Sequence, residues 1–294
     1  MTLPNSECKT TQLDIRGLNY HVQEWGDSSN PTLILIHGWM DCGATFNHVA
    51  EKLVDEYHII APDLRGFGNS DHASGYWFAD YFADLDELLN HYTPDRPARL
   101  IGHSMGGNIV MMYAGIRPER VASVLSLEAL GMAPTESHEA PGKYRQWMTQ
   151  ILSGESVKIY PNIEALKRSI RAGNPSLPEP IVDELAVHWG TPVGEDGAYR
   201  LKHDHKHRYA NPVRYNFDDT LAVWREITAR VGIVMAEQSS LYRKFNQLGR
   251  IKQSMEVLKV SASDYFLVED AAHMLHLEQP ESTAECVRRF FAAR

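Results

Sequence analysis

The chain contains six short, nearly continuous apolar segments that alternate with segments of helical character. The apolar segments are TLILIH (32–37), HIIAPD (58–63), ARLIGH (98–103), ASVLSLEA (122–129), VGIVMAE (231–237) and YFLVED (265–270). Strands that are buried on both faces have this composition, and they belong to parallel sheets covered by helices. The pattern therefore predicts an α/β fold with a mostly parallel sheet and flanking helices.

Two parts of the chain depart from this alternation. TQLDIRGLNYHVQEWG, near the start, alternates apolar and polar residues around a glycine, which predicts an antiparallel hairpin. Residues 130–228 contain amphipathic helical windows and many aromatic residues, but no pattern typical of a buried strand. We interpret them as a helical cap inserted into a core formed by residues 1–129 and 229–294.

Composition excludes several classes of partner. The 294 residues carry a formal net charge of −9, which argues against nucleic acid or an anionic membrane. We see no signal-peptide pattern and no apolar run of membrane-spanning length. Cys8, Cys42 and Cys286 are odd in number and scattered, which favours a reducing compartment. We therefore expect a cytoplasmic, soluble protein, and the sequence leaves its oligomeric state open.

The segment LIGHSMGG (100–107) places Ser104 between two glycines, where a buried strand ends and a helix begins. The pattern G-x-S-x-G in this context is typical of a nucleophile held on a sharp strand-to-helix turn. Small residues at Gly102 and Gly106 let the backbone turn where a side chain would clash. Ser104 is thus the predicted nucleophile, and the alternative is a tight turn with an incidental serine.

A serine needs a base, and His273 is the best placed of the 14 histidines. It follows the last predicted strand and precedes the last helix, in VEDAAHMLHLEQPE. The chain order of serine, acid and histidine agrees with this choice. His276 is predicted to be a packed or surface residue.

Acyl transfer also needs donors for the oxyanion. We expect one from the backbone N–H of Met105, the residue after the nucleophile. The second is expected from the Trp39 N–H, because LILIHGWMD ends a strand at His37 and Gly38 frees the backbone there.

LILIHGWMDCGATFNHVAEKL, IIAPDLRGFGNSD, LIGHSMGGNIVMMYAGIRPERV and AAHMLHLEQPE resemble the α/β-hydrolase superfamily. The likeness is to its capped branch, with haloalkane dehalogenase-like and epoxide hydrolase-like members, and it covers nearly the whole chain after about residue 10. It implies the α/β-hydrolase fold with an inserted cap. In the loop DLRGFGNSD, Asp63 and Arg65 are expected to be structural.

The acid departs from the commonest family pattern. Many members carry it after the strand that follows the cap, in a turn resembling G-E-x-D, but here the turn reads AEQSS, with Ser239 at the aspartate position. Glu128, at the end of the apolar VLSLEALG, is the one carboxylate on the strand after the nucleophile helix. Dehalogenase-like members use an acid at this earlier strand, so we predict Glu128 as the acid, with Glu237 as the alternative. A structural cap on the insertion is the other role open to Glu128.

These residues predict a serine hydrolase that acts on small carboxylic esters through a Ser104–His273–Glu128 triad and requires no cofactor. Epoxide hydrolases and haloalkane dehalogenases attack with aspartate, so a serine favours an acyl-enzyme. The alternatives are a C–C bond hydrolase or cofactor-free haloperoxidase on the same fold, or a non-catalytic ligand-binding homologue. Thioester and lactone substrates remain variants of the main hypothesis.

A histidine-rich loop is the other candidate for a site. LKHDHKHRY carries His203, His205 and His207 around Asp204, a spacing that could place three imidazoles on one side of an extended segment. Polar loops also collect histidines, and no fourth ligand is suggested, so we expect no metal site.

Overall fold

The computed structural model describes residues 8–154 and 157–292 and contains two β-sheets. The strands, in chain order, are β1 (Lys9–Ile15), β2 (Leu18–Trp25), β3 (Thr32–Ile36), β4 (His58–Pro62), β5 (Ala98–His103), β6 (Val121–Leu127), β7 (Gly190–Val193), β8 (Ala198–Leu201), β9 (Arg230–Ala236) and β10 (Tyr265–Val268).

Helices connect these strands. In chain order they are α1 (Asn47–Ala50), α2 (Asp80–Tyr92), α3 (Met105–Ile116), α4 (Ala140–Ser153), α5 (Ile163–Gly173), α6 (Glu179–Trp189), α7 (Phe217–Arg225), α8 (Ser240–Gln247), α9 (Arg250–Val257), α10 (Leu275–Glu278) and α11 (Pro280–Phe291). None of the helices in the described part of the chain has the length and apolarity needed to cross a membrane.

The larger sheet has eight strands in the order β1-β2-β4-β3-β5-β6-β9-β10. β1 and β2 form the antiparallel hairpin that the alternating pattern predicts, and β2 also pairs antiparallel with β4. All other pairs in this sheet are parallel. The carboxyl ends of β3, β5, β6, β9 and β10 therefore lie along one edge, where open α/β sheets place their ligands.

Each central strand is buried on both faces because helices cover both sides of the sheet. On β3, Ile34 and Ile36 pack into a core with α2, α3 and α7, whereas Leu33 and Leu35 pack into a second core with α1 and α11. Successive residues of β3 thus face two different cores. Because both faces are buried, the strand is apolar throughout and does not alternate apolar with polar residues.

The 130–228 segment is mainly helical but also contains a strand pair that the sequence analysis did not predict. β7 and β8 pair antiparallel, and most of their side chains are only half-buried. Because these strands are short, half-exposed and interrupted by Pro192, they show neither a buried run nor a clean alternation. α5 and α6 pack together in a third, small core that also includes Met274 and Leu277 from the segment around α10. In contrast, α7 packs against α3 in the main core. The boundaries of the cap stay a prediction.

The loop after β4 is fixed by buried ionic contacts. Arg65 donates two hydrogen bonds to the Asp84 carboxylate, which also accepts one from the Tyr20 hydroxyl. Asp63 accepts from the Gly43 N–H at 2.7 Å and the Asn69 N–H at 2.8 Å. These contacts agree with structural roles for Asp63 and Arg65.

Candidate active site

Ser104 occupies a strained backbone position at the carboxyl edge of the sheet. β5 ends at His103 and α3 begins at Met105, so Ser104 alone makes the turn between strand and helix. Its φ of 52° and ψ of −112° lie outside the regions that non-glycine residues prefer. The Ser104 N–H donates a hydrogen bond of 2.9 Å to the Leu127 carbonyl, which ties the turn to β6. The hydroxyl is thereby held at the edge of the sheet, partly accessible to solvent.

The glycines around Ser104 are required because neighbouring backbone fills the space of a side chain. A Cβ on Gly106 would collide with the Ile36 carbonyl oxygen, and a Cβ on Gly102 would collide with the Gly106 carbonyl oxygen. Neither position accepts a methyl group unless β3, β5 or α3 moves. Both glycines of the G-x-S-x-G pattern are therefore dictated by packing.

His273 lies in the loop between β10 and α10 and contacts both Ser104 and Glu128. Its Nε2 is 3.1 Å from Ser104 Oγ, and its Nδ1 is 3.3 Å from Glu128 Oε2. With its proton on Nδ1, the imidazole donates to the carboxylate and accepts from the serine hydroxyl. Such contacts are often long before a substrate binds. The structure thus brings together the three residues that the sequence singles out as nucleophile, base and acid.

Glu128 is a buried carboxylate whose two oxygens both accept hydrogen bonds. It follows β6 with a φ of 57° and is 1% exposed. Oε1 accepts from the Ala236 N–H at 2.7 Å, and Oε2 accepts from the Ser239 hydroxyl and faces His273. A buried charge is costly unless donors surround it, and here β9 and the turn after it supply them.

Ser239 stands where the resemblance leads one to expect an aspartate, and it contributes to the site in another way. Its hydroxyl donates to Glu128 and accepts from backbone amides at the start of α8, which it caps. The alternative acid, Glu237, is exposed, and its carboxylate accepts from the Asp270 N–H at 3.5 Å. Within the described residues no contact joins Glu237 to the imidazole. The geometry therefore favours Glu128 over Glu237.

Trp39 and Met105 bring two backbone N–H groups to the nucleophile. Met105 is the first residue of α3, whose N-terminal amides lack partners within the helix. Trp39 follows Gly38, on which a Cβ would lie 3.4 Å from Ser104 Cβ, so this loop passes beside the nucleophile. Across residues 8–154 and 157–292 neither amide donates to a protein group. Both are thus free to bind a substrate oxygen, as an oxyanion hole requires.

A cavity of about 530 Å³ opens onto Ser104. Its lining is mostly apolar, as is typical of small-molecule sites, and comes chiefly from the loop after β3, from α3, from the loop after β6 and from α8. Lys244 is the one cationic residue among those that line it in the described part of the chain. Apolar residues of the wall include Trp39, Phe78, Met105, Met132, Leu241 and Phe245.

Next to the Ser104–His273 pair lie three buried ionisable residues that the sequence analysis did not identify as a group: Asp41, His103 and His276. The His103 ring centroid is 4.8 Å from that of His273 and 4.4 Å from that of His276. His103 Nε2–H donates to the His273 carbonyl at 2.7 Å. His103 Nδ1 and both ring nitrogens of His276 have no hydrogen-bond partner among the described residues, and each such buried group costs about 1–3 kcal/mol.

The charges in this group follow from its burial. Burial lowers the pKa of His276 to about 3 and that of His103 well below its usual value, so both imidazoles are neutral. Burial also raises the pKa of Asp41 to about 7. The 3.9 Å between Asp41 Oδ2 and His276 Nε2 is therefore not an ion pair, since the ring carries no charge. His276, predicted as a packed or surface residue, is completely buried.

The histidine-rich loop, residues 201–209, is held in place by ring stacking and polar contacts. His207 stacks on Phe67 with ring centroids 3.8 Å apart, and its Nε2 lies 3.2 Å from the Arg65 carbonyl oxygen. His205 Nδ1 is 3.2 Å from Asp204. Among the residues that the structure describes, this loop does not form a group of three side chains close enough to share one metal ion. His207 thus packs the loop against the core, and His205 contacts the neighbouring Asp204 within the loop.

Comparison with known proteins supports the α/β-hydrolase fold. A family model described as the alpha/beta hydrolase fold matches residues 31–156. A serine hydrolase-like protein of Danio rerio is 27% identical over 91% of this chain and 83% of its own length. The 2-(acetamidomethylene)succinate hydrolase of Mesorhizobium japonicum is 26% identical over 96% of this chain and 95% of its own length. Among solved structures, the thioesterase domain from the curacin biosynthetic pathway superimposes with a TM-score of 0.82 at 23% identity, covering 96% of this chain and 99% of that domain.

We expect the substitution Gly106→Ala to lower the free energy of unfolding by about 1–3 kcal/mol or more, because the added methyl group has no room beside β3. Chemical denaturation measures the change. Gly142→Ala is the matched control: Gly142 lies in α4, and no atom lies within 4 Å of the place that an alanine Cβ would take, so alanine there should be neutral or stabilising by up to about 1 kcal/mol. Equal unfolding midpoints for Gly106→Ala and wild type would contradict the packing argument.

Proposed function

The α/β-hydrolase fold is the premise on which we propose that the protein is a serine carboxylesterase acting on small carboxylic esters. The observation that carries the proposal is the continuous series of contacts from Ser104 Oγ through the His273 imidazole to the Glu128 carboxylate, at 3.1 Å and 3.3 Å. A serine hydroxyl becomes a good nucleophile only when a base can take its proton, and His273 is within reach of it.

In the first half of the reaction, Ser104 Oγ attacks the ester carbonyl carbon while His273 Nε2 takes the hydroxyl proton. The negative charge that develops on the carbonyl oxygen is stabilised by the N–H groups of Trp39 and Met105. Glu128 stabilises the imidazolium and keeps the Nδ1 proton in place. When the C–O bond of the ester breaks, the imidazolium returns its proton to the leaving alkoxide, and an acyl-enzyme remains on Ser104.

In the second half, water replaces the alcohol. His273 Nε2 takes a proton from the water molecule as its oxygen attacks the acyl carbon, and the same two amides bind the oxyanion. Collapse of this intermediate breaks the bond to Ser104 Oγ, which recovers its proton from the imidazolium. The carboxylic acid leaves, and the groups involved are all supplied by this chain and water.

Two rival functions use the same residues differently. A C–C bond hydrolase or a cofactor-free haloperoxidase would keep Ser104 and His273 but would not turn over simple esters. A ligand-binding homologue would bind small molecules without turnover. The missing aspartate at position 239 is the feature that would favour a non-catalytic homologue. However, Ser239 donates to Glu128 and so helps to retain a carboxylate beside the imidazole, which weakens that argument.

We expect a fluorophosphonate probe to label wild-type protein at Ser104 and to leave Ser104→Ala unlabelled, because only an activated serine attacks phosphorus readily. Mass spectrometry of the labelled peptide identifies the residue. A panel of p-nitrophenyl esters of increasing acyl length on the same preparations then tests the reaction class. Equal labelling of the two proteins would refute the assignment of Ser104 as the nucleophile. Labelling of wild type without turnover of any ester would favour the rival functions.

Substitution of Glu128 tests the assignment of the acid. Glu128→Gln should reduce kcat about a thousandfold to ten-thousandfold while leaving KM nearly unchanged, because an amide favours the wrong imidazole tautomer and cannot stabilise the imidazolium. Glu237→Gln is the matched control and should keep kcat within a factor of about two, since its side chain is exposed and away from His273. The reverse ranking of the two variants would move the acid to the turn after β9.

The cavity beside Ser104 also suggests a substrate class. Lys244 lines it and has no hydrogen-bond or ion-pair partner for its ammonium group within the described residues. A cation in a largely apolar wall favours a substrate with a carboxylate at a distance from the ester. One full-length relative has a name that gives a succinate derivative as its substrate, which is in keeping with this idea. We include esters that carry a carboxylate among the proposed substrates.

Lys244→Gln should therefore lower kcat/KM for a monoester of a dicarboxylic acid about threefold to fivefold, with little change for the neutral ester of equal length, because the contact is near solvent and partly screened. Lys252→Gln on α9 removes the same charge away from the cavity and should leave both substrates unaffected. Steady-state kinetics at low and high salt measures both effects. A loss that is equal for charged and neutral esters would exclude direct recognition by Lys244.

A further inference from the structure

Asp41, His103 and His276 form a compact group of ligand-type side chains that the proposed hydrolysis does not use. Each residue offers one potential metal-ligating atom, and these three atoms all lie within 4.8 Å of one another. The three residues are 4%, 1% and 0% exposed. The described part of the chain offers no other group of three such residues close enough to share a metal ion.

The hydrogen bonds around the group leave ligand atoms unused. His103 commits Nε2–H to the His273 carbonyl, so its Nδ1 carries a lone pair with no partner among the described residues. Both ring nitrogens of His276 are in the same situation. Buried imidazole nitrogens are normally satisfied, so three unpartnered ones in a single cluster point to an occupant.

Hydrogen bonds to neighbouring groups orient two of the three side chains, His103 and Asp41, as they orient metal ligands. A metal-bound histidine commonly donates its second N–H to a backbone carbonyl, as His103 does. The Asp41 carboxylate accepts from the Thr45 hydroxyl at 3.1 Å and from the Trp189 indole N–H at 3.1 Å. Each of these bonds fixes a ligand and leaves a further lone pair for an ion.

We propose that Asp41, His103 and His276 bind a divalent transition-metal ion, with Zn²⁺ as the best match. Two neutral imidazoles and one carboxylate make up a donor set that zinc accepts, with a fourth position open to water. Tetrahedral zinc holds its ligands on the order of 3.4 Å apart. The present spacing therefore needs only a small inward movement of the side chains.

The position of the site means that a bound ion would connect three segments of the active site. Asp41 lies two residues after Trp39, His103 directly precedes Ser104, and His276 lies three residues after His273. An ion shared by the three ligands connects the loop after β3, the end of β5 and the start of α10. These are the segments that carry the proposed oxyanion donor, nucleophile and base, so zinc binding stabilises their mutual arrangement.

The test measures binding, and its readout does not depend on the hydrolase proposal. Chelator-treated protein is dialysed against ZnCl₂, and bound zinc is measured by mass spectrometry of the metal. We expect one ion per chain in wild type, and a melting temperature that rises by several degrees at about a hundred times Kd. His276→Gln and Asp41→Asn should lose both the bound ion and the rise. His205→Gln, in the histidine-rich loop, is the matched control and should retain them.

A spectroscopic measurement covers the case in which the buried substitutions fail to fold. X-ray absorption of zinc-loaded His205→Gln protein should show imidazole and oxygen donors and no sulfur. Sulfur scattering would assign the ion to a cysteine, and the proposal would then be wrong. It would be equally wrong if wild type bound no zinc after dialysis, or if folded His276→Gln and Asp41→Asn bound as much zinc as wild type.

Discussion

The arrangement of this sheet edge depends on the buried carboxylate of Glu128. A charge with 1% exposure is tolerated only where donors replace the lost water, and removing one of them leaves a charge uncompensated. The donors come from three separate places: the Ala236 N–H at the end of β9, the Ser239 hydroxyl at the start of α8, and the His273 ring. Pairing of β6 with β9 is therefore as necessary to the site as the acid itself.

Much of this could be predicted from the sequence because its signals are local. The apolar runs mark strands buried on both faces, and GHSMGG between a strand and a helix marks the turn at Ser104. Glu128 could be found as well, since a single carboxylate at the end of an apolar strand needs a partner and the later turn lacks the expected aspartate. The role of Ser239 could not, because a serine in a turn does not reveal that its hydroxyl faces a residue from another strand.

The features that the sequence did not reveal depend on tertiary contacts. The β7–β8 hairpin has half-buried strands with Pro192 in one of them. It therefore shows neither a continuous apolar run nor a clean alternation of apolar and polar residues. Asp41, His103 and His276 come from three segments with no characteristic spacing, and only the parallel order of β3, β5 and β10 brings these segments to one edge. The histidine-rich loop shows the converse case. Its local spacing suggests a metal site, but in the structure His207 packs on Phe67.

His273 connects the two groups of buried polar residues at this edge. Its ring contacts Ser104 and Glu128, while its backbone carbonyl accepts from His103, the residue that precedes the nucleophile. Loops are otherwise free to shift, and a base displaced by about 1 Å can lose catalytic efficiency a hundredfold. Holding both the ring and the backbone of one loop residue restricts such displacement without a regular element at that position. The neutral His103 suits this purpose, since an uncharged ring can donate to the carbonyl and remain buried at little electrostatic cost.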